Sequence, residues 1–194
     1  MNKYKIIYAD PPWQYKVFSK KGTGRTAESY YPTMSLEDIQ ALPVGELADS
    51  DCALFMWTTV PQLKDCFSVM KAWGFEYKTV AFVWIKLNRK SNSLFWGMGH
   101  WTRANAELCM LAIKGHPKRK SAAVHQVIIS RIEEHSKKPN EARERIIQLM
   151  GDLPRVELFA RQKTDGWDVW GNEVDSDIQI GGYSERSGGA ICVG

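Results

Sequence analysis

The stretch KIIYADPPWQY, residues 5–15, constrains this chain more than any other. An apolar run, Ile6-Ile7-Tyr8-Ala9, stops at Asp10, and two prolines and a tryptophan follow at once. So short and apolar a run reads as a strand buried on both faces. Pro11 and Pro12 lack a backbone N–H and fix φ, so the strand must end there. Asp10 then stands at the carboxyl end of a strand, which is where open α/β sheets bind their ligands. Its carboxylate and the Pro11 carbonyl are stiff acceptors with few competing donors, and Trp13 adds a π-face. Two fixed acceptors beside an aromatic plate suit a planar group bearing an NH₂. The amine of adenine is a poor nucleophile because its lone pair is delocalised into the ring. Accepting its two hydrogens favours a pyramidal nitrogen and frees that pair to attack an in-line methyl donor. A base handled this way must leave its stack, and Trp13 would hold it. The plainer reading of the same four residues is a strand-terminating turn with a packed tryptophan.

The rest of the chain supplies a frame for that strand. With 194 residues and a hydrophobic share of 44%, one domain with a full core is the simplest count. Strands are expected over 5–9, 52–59, 76–86, 106–115, 125–130 and 155–161. Helices are expected after Ser35, an N-cap with Asp38 three residues on, over 60–75 with Gly74 as its stop, and over 138–151 between Pro139 and Gly151. Strands alternating with helices predict an α/β sandwich with a mostly parallel sheet. Residues 14–34, 87–103 and 116–123 read as irregular stretches, the first long enough to suggest function. The domain is placed at 1–175, and the Gly/Ser-rich 176–194 reads as a flexible tail. Cys52, Cys66, Cys109 and Cys192 have neither CxxC nor zinc spacing, so free thiols are expected and no metal. No signal peptide precedes the first strand and no apolar run reaches bilayer length, so the chain is expected to be soluble and cytoplasmic, with no membrane partner.

Charge points to a partner class. Lys and Arg total 26 against 22 acidic residues, a net charge of +4 that is compatible with a polyanion. The basic residues gather in three irregular places: Lys16, Lys20, Lys21 and Arg25; Lys86, Arg89 and Lys90; and Lys114, Lys118, Arg119 and Lys120. Placed near the active face, they would meet phosphates; singly, each also reads as solvated surface. FWGMGHWTR, residues 95–103, brings Trp96, Trp101 and Arg103 together, to stack on a nucleic acid or to serve as core and dimer surface.

DPPW at 10–13 resembles the catalytic motif of the adenine-N6 methyltransferases of β-class order. That family includes the catalytic subunit of the mRNA N6-adenosine methyltransferase and small bacterial and phage DNA methyltransferases. YYPTMS (30–35), GHWTRANAELCMLAIKG (99–115), EHSKKPNEARERI (134–146), VELFAR (156–161) and GWDVWGNE (166–173) are similar to it as well, in its order. The resemblance covers about residues 4–173. It implies a Rossmann-like methyltransferase fold, permuted so that the catalytic strand precedes the cofactor strand, with S-adenosylmethionine as donor and S-adenosylhomocysteine as product. It implies that Asp10, Pro11, Pro12 and Trp13 grip the target adenine, with Asp10 also beside the cofactor. Tyr31 matches an aromatic over the active site, and Lys138 a lysine that meets the methionine carboxylate. Phe159 matches the cofactor loop, and Arg161, Asn172 and Glu173 match positions around the cofactor ribose and adenine. Lys20, Lys21, Arg25, Trp101 and Arg103 are the residues read as touching the substrate. Two departures stand out: the chain starts at Met1 without the preceding segment of larger members, and its cofactor loop reads FAR in place of a glycine-rich turn.

These features lead to methylation of adenine N6 in DNA, in a restriction–modification or phage setting. The alternatives are the same reaction on RNA, a non-catalytic nucleic-acid-binding subunit of the same fold, and glutamine methylation, whose related turn usually begins with Asn. A homodimer or a second subunit is a further expectation taken from the family.

Overall fold

The computed structural model describes residues 3–14, 33–99, 101–133 and 137–181. In chain order the elements are β1 (Tyr4–Ala9), α1 (Leu36–Ala41), α2 (Val44–Leu47), β2 (Ala48–Thr59), a 3₁₀ turn (Val60–Gln62), α3 (Leu63–Ala72), β3 (Glu76–Leu87), β4 (Glu107–Lys114), β5 (Val127–Arg131), α4 (Glu141–Met150), β6 (Arg155–Leu158) and β7 (Asp168–Trp170). The strands form one sheet in the order β5-β3-β4-β2-β1-β6-β7. β1 runs parallel to both its neighbours, β2 and β6, and β3–β5 and β6–β7 are parallel too. β4 alone runs against the rest, antiparallel to β2 and to β3. The mostly parallel sheet is thus as expected, with one reversed strand.

Burial on both faces explains why β1 and β2 are apolar without alternation. Ile7, Ala9, Leu54 and Met56 point to the side covered by α1 and α3, where Ile39, Val69, Met70 and Trp73 join them. Ile6, Tyr8, Phe55 and Trp57 point to the other side, under Ala142, Ile146 and Met150 of α4. Ser35 caps α1 as expected, its hydroxyl accepting from the Asp38 N–H at 3.1 Å. Gly74 ends α3 at φ 82°, a conformation open to glycine at little cost. As expected, the stretch from β3 to β4 holds no helix among its described residues, and antiparallel neighbours need no crossover. Two details differ from the sequence reading. α4 begins at Glu141, after a turn in which the Pro139 carbonyl accepts from Ala142. β7, only three residues long among glycines and acids, was not expected at all.

The start of the segment expected as a tail lies on the body of the protein. Ile180 is buried in the core, and the Asp177 N–H donates to the Val169 carbonyl at 2.9 Å. Residues 182–194 are outside the described part. Across the α4 face, Arg143 grips Glu157 with two bonds, Nε to Oε2 at 2.7 Å and Nη2 to Oε1 at 2.5 Å. Both side chains are largely buried, and the guanidinium also lies 5.4 Å from the Tyr8 ring. Arg143→Ala strands a buried carboxylate and should destabilise the fold by about 3–5 kcal/mol in urea denaturation. A loss under about 1 kcal/mol would contradict the buried-pair reading.

Candidate active site

The reversal of β4 decides what gathers at one edge of the sheet. Six strands end there and β4 begins there. Ala9 of β1 pairs with Leu158 of β6, so Asp10 and Phe159 emerge side by side. Thr59, the last residue of β2, pairs with Glu107, the first of β4, and Glu107 also pairs with Trp84 of β3. Lys86 follows two residues later on β3, and Lys138 arrives from the connection between β5 and α4.

These side chains form one chain of alternating charge. Lys138 Nζ donates to Asp10 Oδ2 at 2.7 Å and lies 3.2 Å from Glu107 Oε2. Glu107 Oε1 is paired in turn with Lys86. The Lys138 side chain is only 8% exposed. Burial opposes its charge, but Asp10 and Glu107 more than offset that and hold the ammonium protonated. Burial also opposes charge on Glu107, yet Lys138 and Lys86 outweigh it and keep the carboxyl below its usual range. On Asp10 burial wins: with Glu107 adding to it and Lys138 opposing, the carboxyl sits above its ordinary value of 3.8. Asp10 keeps 27% of its side chain exposed, and among the described residues its Oδ1 has no hydrogen bond. The site therefore presents one committed oxygen and one available oxygen.

The DPPW turn is tighter than the sequence suggests. The Pro11 carbonyl already accepts from the Trp13 N–H at 2.9 Å, and the Pro12 carbonyl from the Met34 N–H at 3.0 Å. The expectation of carbonyls with few competing donors is corrected on this point, although each carbonyl has a second lone pair. Trp13 is 5% exposed, and its indole N–H donates to the Trp57 carbonyl at 3.1 Å. It pins the end of β1 to the end of β2 as a packed residue, with little ring face open. Trp13 also bridges to Met34, and Gln62 Nε2 donates to the Gln14 carbonyl at 2.8 Å. The segment between residues 14 and 33 thus leaves and returns at the active edge. Tyr31, Lys20, Lys21 and Arg25 fall in it and lie outside the described residues.

On the other side of Asp10, Phe159 has φ 62°, a left-handed backbone uncommon for a residue with a Cβ. Its ring meets Trp170 edge-on, with centroids 5.4 Å apart. The turns after β6 and β7 touch: a Cβ on Gly171 would stand 2.1 Å from the Ala160 carbonyl oxygen. That contact puts Arg161, Asn172 and Glu173 on one ledge, where Arg161 Nε lies 3.4 Å from Glu173 Oε1 and Asn172 is exposed. Lys138, Asp10, Phe159, Arg161, Asn172 and Glu173, scattered in sequence, are thus all at the active edge.

The stretch between β3 and β4 forms an arm from the same edge. Asn105 fastens its base, accepting from the Lys86 N–H at 3.0 Å and donating to the Lys86 and Phe95 carbonyls. Trp101 at its tip is 92% exposed, and Arg103 is exposed nearby with Met98. Two expectations about charge are corrected. Lys86 is taken up by Glu107 in place of facing phosphate. The cluster from Lys114 to Lys120 lies at the opposite edge, since Lys114 ends the reversed strand opposite Cys52. Sequence reasoning missed Glu107 and Asn105. The available signal for Glu107 was a carboxylate heading an apolar strand inside a family motif. Cys52, Cys66 and Cys109 are buried free thiols as expected, and burial pushes Cys66 up to about 12.

Helices on both faces of this sheet order, with the loaded strand ends of β1 and β6 adjacent, define a Rossmann-like methyltransferase fold. The profile of the MT-A70 family matches residues 4–173, and the chain belongs to that family. It is 37% identical to the type II methyltransferase M.MunI of a Mycoplasma species over 196 residues, covering 92% of this chain and 81% of that one. It is 29% identical to the Drosophila melanogaster N(6)-adenosine-methyltransferase MT-A70-like protein and 27% identical to the human N(6)-adenosine-methyltransferase catalytic subunit METTL3. It spans only 28% and 29% of those two longer relatives. Among the described residues, no helix is long and apolar enough to cross a membrane.

The charge chain makes two predictions. Lys138→Met leaves two carboxylates facing each other, so the Asp10 midpoint should rise further above the ordinary 3.8 in carboxyl-carbon NMR; an unmoved midpoint contradicts the bridge. For Glu107 the sign is the reverse. Its folded value is lowered, so its stabilisation is present above its unfolded value near 4.5 and is lost as pH falls through the folded value. Glu107→Gln should therefore flatten the acid limb of the stability curve, and an acid limb like the parent's would show that Glu107 is not held ionised.

Proposed function

We propose that this chain transfers the methyl group of S-adenosylmethionine to N6 of an adenine in DNA. The observation that carries the reading is the Asp10 carboxylate, with Oδ2 bound to Lys138 and Oδ1 available at the end of β1. The free oxygen accepts one amine hydrogen, and the second lone pair of the Pro11 carbonyl accepts the other. Lys138 opposes the protonation of Asp10 and aims its carboxylate. The turn locked by Trp13 holds both acceptors still, so that they need no reorganisation as the nitrogen pyramidalises. Once methylated, the nitrogen is strongly acidic, and the proton passes to Asp10 or to solvent.

The donor supplies an electrophilic methyl group on a sulfonium centre. The groups beside Asp10 suit it: Glu173 and Asn172 offer partners for hydroxyls and ring nitrogens, and Phe159 an aromatic edge. Lys138 is the cation expected for its carboxylate, although Asp10 and Glu107 already engage it. Trp101 and Arg103, on the arm at this edge, are proposed to meet the nucleic acid, together with Lys20, Lys21, Arg25 and Tyr31 from the segment that returns beside Trp13. Adenine is chosen because several relatives bear N(6)-adenosine names. DNA is chosen because the relative matched along most of both chains is the type II methyltransferase.

Asp10→Asn keeps the shape and removes the charge. Its rate of labelled-methyl transfer to DNA should fall at least about a hundredfold, with thermal stability near the parent's. Transfer within a few-fold of the parent, or transfer to RNA and not to DNA, would overturn the reading.

A further inference from the structure

Two arginines farther along the active edge carry charge that no acidic side chain among the described residues neutralises. Arg131 ends β5 and pairs with Leu87 of β3, and Arg89 lies two residues beyond Leu87. With Ser130, Ile132 and Glu133 they line an open cleft of about 670 Å³. Both guanidinium groups are oriented by neutral acceptors. Arg131 Nη2 donates to Asn92 Oδ1 at 2.9 Å, and Arg89 Nη2 donates to the Glu133 backbone carbonyl. The Glu133 carboxylate is itself occupied, by Lys137 at 2.6 Å. Arg143, Arg145, Arg155 and Arg161 each have a carboxylate partner, whereas among the described residues Arg89 and Arg131 have none.

Such an arrangement is ready to take an anion. Neutral hydrogen bonds orient two like charges, one at the end of β5 and one in the turn after β3, and both groups are exposed with donors to spare. A phosphodiester fits the vacancy in chemistry, because two acceptor oxygens sharing one charge match the guanidinium fork. Position argues for a polymer over a small anion. The cleft is open, and in the sheet order it lies three to four strands from β1. At about 4.8 Å per strand this is about 14–19 Å across the sheet, and the register puts Leu87 and Arg131 five residues, about 16 Å, farther along the strands than Asp10. Together these give about 22–25 Å, or about six to seven nucleotides at ~3.4 Å of axial rise each.

We propose that Arg89 and Arg131 form a phosphodiester subsite that grips the substrate strand about six to seven nucleotides from the methylated adenine. This rests on the nucleic-acid reading of the active edge and extends it to residues outside the catalytic machinery. The test is the Arg89→Gln/Arg131→Gln double variant. Both side chains are exposed, so the fold should survive, as checked by melting temperature. DNA affinity should fall about tenfold near physiological salt, and the slope of log K against log salt should become shallower by about one to two. The kcat at saturating DNA and the sequence preference should be unchanged. In the parent, single neutral methylphosphonate linkages about six to seven nucleotides from the target should weaken binding by a similar factor, and in the double variant they should have no further effect. If parent and variant both methylate DNA with the same salt slope and the same methylphosphonate pattern, the subsite is overturned alone. If the slope drops in the variant but the parent transfers no methyl group, the methylation reading is overturned alone.

Discussion

The buried contact between Lys138 and Asp10 is the interaction on which the active edge depends. An aspartate at a strand end, walled in by apolar neighbours, gains a proton as burial deepens. Lys138 opposes this, and Glu107 and Lys86 extend the pairing so that four charges balance within one small volume. Neither carboxylate is left without a cation, and Lys138 is not left without an anion. The outcome is an acceptor whose protonation Lys138 opposes, fixed in direction yet with one oxygen to spare. A lone Asp10 in the same turn would be either protonated or free to swing.

That balance is a product of topology. Were β4 parallel to its neighbours, Glu107 would begin at the opposite edge, far from Lys138. The antiparallel pairing of Thr59 with Glu107 brings it to the strand ends. The same reversal carries Lys114 and the basic residues after it away from the site, and it lets the stretch after β3 stand out as an arm at the active edge. One strand direction thus sets the electrostatics around Asp10, the separation of the basic clusters and the position of the arm.

Much of this was legible in the residues. Ile6 to Ala9 announced a doubly buried strand, the prolines its end, and Ser35 and Gly74 the limits of two helices, because these depend on local chemistry. Family motifs singled out Asp10, Lys138, Phe159 and Asn172, and the fold brings these residues to one edge of the sheet. What stayed hidden depends on register and direction. Nothing in AELCMLAIK says which way the strand runs, so the partnership of Glu107 with Lys138 could not be read. Trp13 looked like an open plate because a sequence does not show what covers a ring; its indole proton belongs to Trp57. β7 was missed because three residues carry too little pattern, and its place is set by pairing with β6.

The chemistry at Asp10 is tested most directly by the position of the transferred methyl group. DNA incubated with the protein and isotopically labelled S-adenosylmethionine would be digested to nucleosides and resolved by mass spectrometry. Label confined to N6-methyl-2′-deoxyadenosine is the predicted result. Label on another nucleoside, or on glutamine of an added peptide with none in DNA, would contradict the assignment of Asp10 as the acceptor of an adenine amine.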